Sequence, residues 1–322
     1  MTFSRIAGTG SYLPERVMSN KELEKIVDTT DEWIRERSGI KRRHIAAENE
    51  TTSDMAVAAA RRAVDAAGID VSEIDLIIVA TTTPDKVFPS TACIVQRQLE
   101  LAKIPAFDIH AACSGFIYAL DVANRFIATK GATSVLVIGS ETYSRILDWS
   151  DRSTCVLFGD GAGAVVLRES NEAGVIATHI HSDGQFEELL HVPAGISSGY
   201  EQVQREAAFI QMKGNEVFRK AVSTLGSIAR ETLVGNKVAQ DDITWLVPHQ
   251  ANLRIIKAAA KKLGLPMERV IVTVDEHANT SSASIPLALD VAVRDGRIKR
   301  GDLLLFEAFG AGFTWGSALV RY

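Results

Sequence analysis

Short, wholly apolar runs recur along this chain, each tied to a helical pattern that ends in glycine, and the order of these units is given twice. Leu76-Ile77-Ile78-Val79-Ala80 follows a helical stretch, Asp54 to Ala67, that stops at Gly68. Val135-Leu136-Val137-Ile138-Gly139 follows a helical pattern that begins about at Cys113 and stops at Gly131. A strand with no polar face must be covered on both sides. The alternation therefore predicts an α/β fold with a mostly parallel sheet between helices. The C-terminal half repeats the order. Ile243 to Val247 resembles Ile74 to Ala80, each followed by a proline-containing loop, and Leu303 to Phe306 resembles the strand at Val135. The glycine-rich entry Gly159 to Leu167 resembles Gly312 to Val320. We read an internal duplication, 1–174 and 175–322, with its boundary near Glu172 to Val175. At 322 residues the chain is long enough for two such halves.

Charge and cysteine usage narrow the function classes. A net charge of −5 argues against general nucleic-acid binding. Three cysteines without metal-ligand spacing give neither a disulfide framework nor a zinc site, which fits a reducing cytoplasm. Met1 to Gly10 lacks a charged-then-apolar signal pattern, and no apolar run approaches membrane-spanning length. Secretion and membrane insertion are not expected.

Cys113 carries the first chemical signal. It stands where an apolar run ending near Asp108 gives way to a helical pattern, in His110-Ala111-Ala112-Cys113-Ser114-Gly115-Phe116. A helix start offers free N–H groups and a favourable dipole, which promote a thiolate. The bland alternative is a small buried hydrophobe. His249, in Val247-Pro248-His249-Gln250-Ala251-Asn252, follows a strand directly, where reactive side chains are commonly held. Asn279 sits in a polar stretch before the helix-like Ile285 to Val293, and its bland role is an N-cap or turn former. Cys, His and Asn together suit acyl transfer through a thioester. With Cys113 in one half and the other two in the second, the pocket is expected at their junction.

Rival readings are weaker. The glycines at 159, 161 and 163 do not form G-x-G-x-x-G, and a strand follows where a phosphate-binding helix would start, so close backbone packing is expected instead. Gly8 and Gly10 do not lead into a helix either. No G-x-S-x-G elbow is present. His110, three residues before Cys113, is expected at a core position; His277 is a weak candidate. Trp33, Arg35, Arg37, Lys41, Arg42 and Arg43 form a cluster that could stack on a base and pair with phosphates, or simply be a solvated helix end. Arg254, Lys257 and Lys261 line one face of a helical stretch, Asn252 to Leu263, whose other face is apolar. Such a face could dock an acidic partner.

At these residues the chain resembles the β-ketoacyl-acyl-carrier-protein synthase III family, the initiating condensing enzymes of bacterial fatty-acid synthesis. The resemblance runs from Gly8-Thr9-Gly10-Ser11-Tyr12-Leu13-Pro14 to Trp315-Gly316-Ser317-Ala318-Leu319-Val320-Arg321. It includes Asp31-Glu32-Trp33-Ile34, the Cys113 segment, Phe158 to Ala164, the His249 segment and Asn279-Thr280-Ser281. It implies a thiolase-like fold, two α/β halves in five layers (α-β-α-β-α), and a homodimer. It implies Cys113 as nucleophile, with His249 and Asn279 as partners and the backbone N–H groups of Cys113 and Ala311 as an oxyanion hole. Trp33, Arg37 and Arg152 would contact coenzyme A, Asn252 would lie near the pantetheine channel, and Gly214 would line the pocket. Phe309 would sit by the decarboxylation site, and Phe88 would reach the partner subunit's acyl pocket. Arg254, Lys257 and Lys261 would dock the carrier protein.

The implied reaction condenses an acyl-CoA primer, acetyl or another short acyl group, with malonyl-acyl-carrier protein. No metal or redox cofactor enters it. Three positions depart from the commonest family pattern: Ala311 within a loop often made of three glycines, Ala278 beside Asn279, and His110. They bear on pocket shape and so on the acyl chain preferred. The alternatives are a condensing enzyme of secondary metabolism with a different donor or acceptor, and a non-catalytic acyl-CoA-binding paralogue. Retention of Cys113, His249 and Asn279 speaks against the latter.

Overall fold

A computed structural model describes residues 2–205 and 208–322. Two sheets dominate it. The first has the order Phe3–Tyr12, Asp160–Ser170, Ser134–Thr142, Leu76–Ala80, Ala106–Ile109. The second has the order Val175–Ser182, Thr314–Arg321, Leu303–Gly310, Trp245–Pro248. Each sheet is mixed, which corrects the mostly parallel expectation. Asp160–Ser170 and Thr314–Arg321 run antiparallel to both neighbours, and the other pairings are parallel. A strand buried on both faces reads as apolar whichever way it points, so the sequence pattern carries no direction. The first four strands of the first sheet match the second sheet in order and direction. This match supports a division of the chain into 1–174 and 175–322, which we propose.

Helices complete five layers. Thr52–Ala67 and Thr91–Gln98 cover the outer face of the first sheet. Gly115–Ala128 and Ser284–Arg294 lie between the sheets and touch both. Gly214–Gly235 covers the second sheet, with Leu253–Lys262 beside it. Local signals fix these elements. Thr51 accepts from Asp54 N while Asp54 accepts from Thr51 N, a reciprocal cap at the head of Thr52–Ala67. Gly68 ends that helix in the left-handed region at φ +65°. Gly8 and Gly10 let the same helix rest on the first strand: a Cβ on either would lie 2.3 Å from a helix carbonyl oxygen. The inner layer is apolar from both halves, with Phe116 and Leu120 meeting Ile285, Leu289 and Phe306 in one buried cluster. Each such side chain contributes roughly 1.5–3 kcal/mol by leaving water.

The halves are also tied by polar contacts that cross between them. Thr9 and Ser11 on the first strand donate to Asp290 on the inner helix of the second half, at 2.7 and 2.6 Å. The turn holding Cys113 is bonded to the second sheet: Thr314 Oγ1 donates to Ala111 O at 2.9 Å and Ser114 Oγ donates to Thr314 O at 3.0 Å. The turn after Asn279 is bonded to the first sheet, where the Ser282 hydroxyl lies 2.8 Å from Ala80 O and 2.9 Å from Glu141 Oε1.

Gly139 tests this junction. A Cβ there would lie 2.3 Å from Ser282 O and 3.0 Å from Ala283 Cα, both backbone atoms that cannot rotate away. Gly139→Ala is expected to destabilise the protein by roughly 1–3 kcal/mol through overpacking. Denaturant unfolding checks this; an unchanged midpoint would show that the two halves do not meet here as described.

Candidate active site

Cys113 sits in a single 3-10 turn, Ala112–Ser114, at the head of the inner helix Gly115–Ala128. The full helix thus starts two residues later than its apolar pattern suggests. Ala112 is held at φ +46°, a region unfavourable for a residue with a Cβ. The cross-half bonds from Thr314 and Ser114 hold it there. Gly310 passes so close that a Cβ on it would lie 2.7 Å from Cys113 N. Burial pushes the Cys113 thiol up to about 12, the Ser281 hydroxyl opposing this and the Glu141 carboxyl adding to it. Burial thus opposes the thiolate that the helix start favours.

His249 follows the strand Trp245–Pro248, and its N–H donates to Glu307 O at 2.8 Å. Burial pushes its imidazole down to about 3, so the ring is neutral throughout the physiological range. Nδ1 lies 2.6 Å from Ser284 Oγ, which leaves Nε2 for the cavity. Asn279 is clamped by its backbone: its N–H donates to Leu157 O at 2.9 Å and its carbonyl accepts from Gly159 N at 3.1 Å. Its side-chain oxygen accepts from Ser281 N at 2.9 Å, a turn that leaves the amide NH₂ to donate elsewhere. Asn279 is thus a turn former as well as a cavity residue. The glycine run at 159 serves close packing, since a Cβ on Gly159 would lie 3.0 Å from His277 O.

Cys113, His249 and Asn279 line one small cavity of about 50 Å³, walled by Phe309, Phe158 and Ile255. A larger space of about 700 Å³ also borders Cys113, lined by His110, Tyr143, Ile146, Ile210 and Ala311. His110 is exposed and faces this space, contrary to the core position expected. Ala311 borders it too. The left-handed backbone falls on the next residue, Gly312 at φ +129°, so an alanine at 311 costs no strain. Ala278 is different: at φ +59° and ψ −162° it occupies a conformation that suits glycine.

The remaining expected residues spread over one face and its surroundings. The Arg152 and Arg37 guanidinium groups lie 5.2 and 5.6 Å from the centre of the Trp33 ring, two cations against one aromatic. The rest of that basic cluster is otherwise engaged. Arg35 pairs with Asp31, Lys41 with Asp275 and Arg42 with Glu276, while Arg43 is fully buried and donates to Asn20 and Val156. Asn252 caps Leu253–Lys262, its side-chain oxygen accepting from Ile255 N at 2.9 Å. Arg254, Lys257 and Lys261 are exposed on that helix, and Ile255, Ile256, Ala259 and Ala260 are buried. Gly214 opens Gly214–Gly235 and borders neither cavity at Cys113; a Cβ there would make only an ordinary 3.6 Å contact with Met212. Phe88 is 82% exposed in this single chain.

Several site groups escape a reading by pattern. Glu141 is buried and takes bonds from Thr82 N and from the hydroxyls of Thr81, Thr82, Thr83 and Ser282. The run Thr81-Thr82-Thr83 at a strand end was its available signal. Tyr143 borders the larger cavity with its hydroxyl bonded to Ser281 and Thr82. Ser284 reads as a helix-start residue, and only the fold brings it to His249.

Two like mixed sheets around a shared helical layer, with Cys, His and Asn converging at their junction, define a thiolase-like acyl-transferring enzyme. Comparison with known proteins is more specific. Residues 107–184 match the family described as 3-oxoacyl-[acyl-carrier-protein] synthase III, and residues 233–322 match its C-terminal counterpart. A β-ketoacyl-[acyl-carrier-protein] synthase III of Thioalkalivibrio sulfidiphilus is 64% identical over 100% of both chains. The crystal structure of 3-oxoacyl-[acyl-carrier-protein] synthase III from Aquifex aeolicus is 51% identical, with a TM-score of 0.94 over 99% of this chain and 100% of that one. The priming β-ketosynthase of the R1128 polyketide pathway is 40% identical, also at 0.94, over 99% and 96%. This chain belongs to the β-ketoacyl-[acyl-carrier-protein] synthase III family.

One buried group lies outside this scheme. Glu307 is fully buried, its two carboxyl oxygens have no hydrogen-bond partner among the described residues, and burial pushes its pKa up to about 8. Between its ordinary value of 4.5 and about 8, the folded chain holds a proton that the unfolded chain has released. Stability attributable to this group is therefore lost as pH rises through that window, by up to about 1.4 kcal/mol per pH unit. Glu307→Gln cannot ionise. Its stability relative to wild type is expected to climb as pH rises from the acid end of this window to its alkaline end, in denaturant unfolding at several pH values. A difference independent of pH would contradict the assignment.

Proposed function

We propose that this enzyme condenses a short acyl-CoA primer with malonyl-acyl-carrier protein, with loss of carbon dioxide, to give 3-ketoacyl-acyl-carrier protein and so begin fatty-acid synthesis. The observation that carries the reading is the convergence of Cys113, His249 and Asn279 on one buried cavity. In the first stage the Cys113 sulfur attacks the acyl-CoA carbonyl and forms an acyl-enzyme. The C–S bond to coenzyme A breaks, and the thiol proton ends on the coenzyme A sulfur. The N–H groups of Cys113 and Ala311 hold the oxyanion. In the second stage malonyl-carrier protein loses carbon dioxide, and the electron pair of the broken C–C bond forms an enolate. Neutral His249 and the Asn279 amide donate to its oxygen, each worth roughly 10²–10³ in rate. The enolate carbon attacks the acyl-enzyme and expels the Cys113 sulfur, which regains a proton from solvent.

The rest of the reading follows the surface. Trp33, Arg37 and Arg152 receive coenzyme A, with Asn252 near its channel and Phe309 beside the decarboxylating carboxylate. Arg254, Lys257 and Lys261 dock the acidic carrier protein. Phe88, exposed in one chain, reaches the acyl pocket of a second copy in a homodimer. Every step uses groups of the protein and its two substrates, so the reaction calls on no metal or redox cofactor. No helix among the described residues is long and apolar enough to cross a membrane. The cytoplasm, where both thioesters would be met, is the proposed compartment.

Covalent loading is the direct test. Incubation with acetyl-CoA should add one acetyl group, seen by intact-protein mass spectrometry and absent in Cys113→Ser. Acylation of Cys93 or Cys155 in place of Cys113 would overturn the assignment.

A further inference from the structure

We propose that Ser284 sets the tautomer of His249, keeping the proton on Nε2 so that the ring can donate into the cavity. The proposal rests on the reading of His249 as a donor to the enolate. A neutral imidazole carries one N–H, and the bond made by one nitrogen decides the state of the other. Both residues are buried, with Ser284 at 1% and His249 at 5% exposure, so no exchange with bulk water blurs the choice. Ser284 Oγ lies 2.6 Å from Nδ1.

The neighbouring backbone orients that hydroxyl. Gln250 N donates to Ser284 Oγ at 3.3 Å and so uses the oxygen as an acceptor. Gln250 is itself fixed. Its amide donates to Pro248 O and Ile271 O, and its side-chain oxygen accepts from Thr273 N and Val274 N. With an N–H already directed at the oxygen, the hydroxyl proton turns to Nδ1. Nδ1 becomes the acceptor and Nε2 keeps the hydrogen. The reverse arrangement, Nδ1–H donating to Ser284, would leave the hydroxyl proton without an acceptor among the described residues and present a bare Nε2 to an anion. Ser284 is therefore a positioning residue: it acts through His249.

The test reads the tautomer directly. The full chain is labelled with nitrogen-15 histidine, and the His249 signals are identified by their loss in His249→Asn. Proton–nitrogen correlation near neutral pH then distinguishes Nδ1–H from Nε2–H. We expect Nε2–H in wild type and a shift to Nδ1–H, or a mixture, in Ser284→Ala. Decarboxylation of malonyl-acyl-carrier protein should fall roughly 10–100-fold, as when the partner orienting a working histidine is removed. Acetyl transfer from acetyl-CoA to Cys113 should stay close to wild type, which also reports that the variant is folded. Wild-type His249 protonated on Nδ1, or an unchanged tautomer in Ser284→Ala, would overturn the proposal. Equal loss of both half-reactions would overturn it too, because that is the mark of a packing role. A shifted tautomer with undiminished decarboxylation would uphold the positioning role and refute His249 as the enolate donor.

Discussion

The site depends on an exchange between the two halves: each half's strained turn is held by the other half's sheet. Ala112 at φ +46° and Ser281 at φ +50° open equivalent 3-10 turns before the two inner helices. Neither is glycine, so both conformations need outside support. Thr314 and Ser114 bond the first turn to the second sheet, and Ser282 bonds the second turn to the first. Cys113 and Ser282 occupy matching places in this pseudo-symmetry. One presents a thiol to the cavity, whereas the hydroxyl of the other fastens the junction. A shift of one sheet against the other would strain both turns at once.

Dryness then decides protonation. Burial, with the Glu141 carboxyl adding to it, favours the thiol at Cys113, and burial keeps His249 uncharged. A site of neutral donors suits a reaction in which negative charge appears on oxygen and vanishes again. A permanent imidazolium would bind the malonyl carboxylate and stabilise the ground state before decarboxylation, which lowers the gain in the transition state. Preorganised neutral dipoles act only as the charge develops.

The fold was legible where it rests on periodicity and punctuation. Gly68 stops its helix, Leu76–Ala80 is a fully buried strand, and the glycine run at 159 marks close backbone approach. Cys113, His249 and Asn279 could be picked out because each stands at the end of an element. Strand direction was not legible, because an apolar run has none. Nor was the burial of Cys113, since a helix start is visible in sequence while the depth of burial is not. The cluster from Arg35 to Arg43 shows the same limit. Asp275 and Glu276, far along the chain, take up Lys41 and Arg42, and only Arg37 joins Arg152 at Trp33. Ser284, Glu141 and Tyr143 depend on contacts between distant segments, which no local pattern announces.

The central claim is that His249 and Asn279 serve the malonyl half-reaction as neutral donors, while Cys113 carries the acyl group without them. Measuring the two half-reactions separately in His249→Ala and Asn279→Ala tests it most directly. Release of carbon dioxide from malonyl-acyl-carrier protein should fall by roughly 10²–10³ in each variant, the scale of one lost oxyanion donor. Acetyl transfer to Cys113 should persist. Decarboxylation at the wild-type rate in either variant would contradict the account.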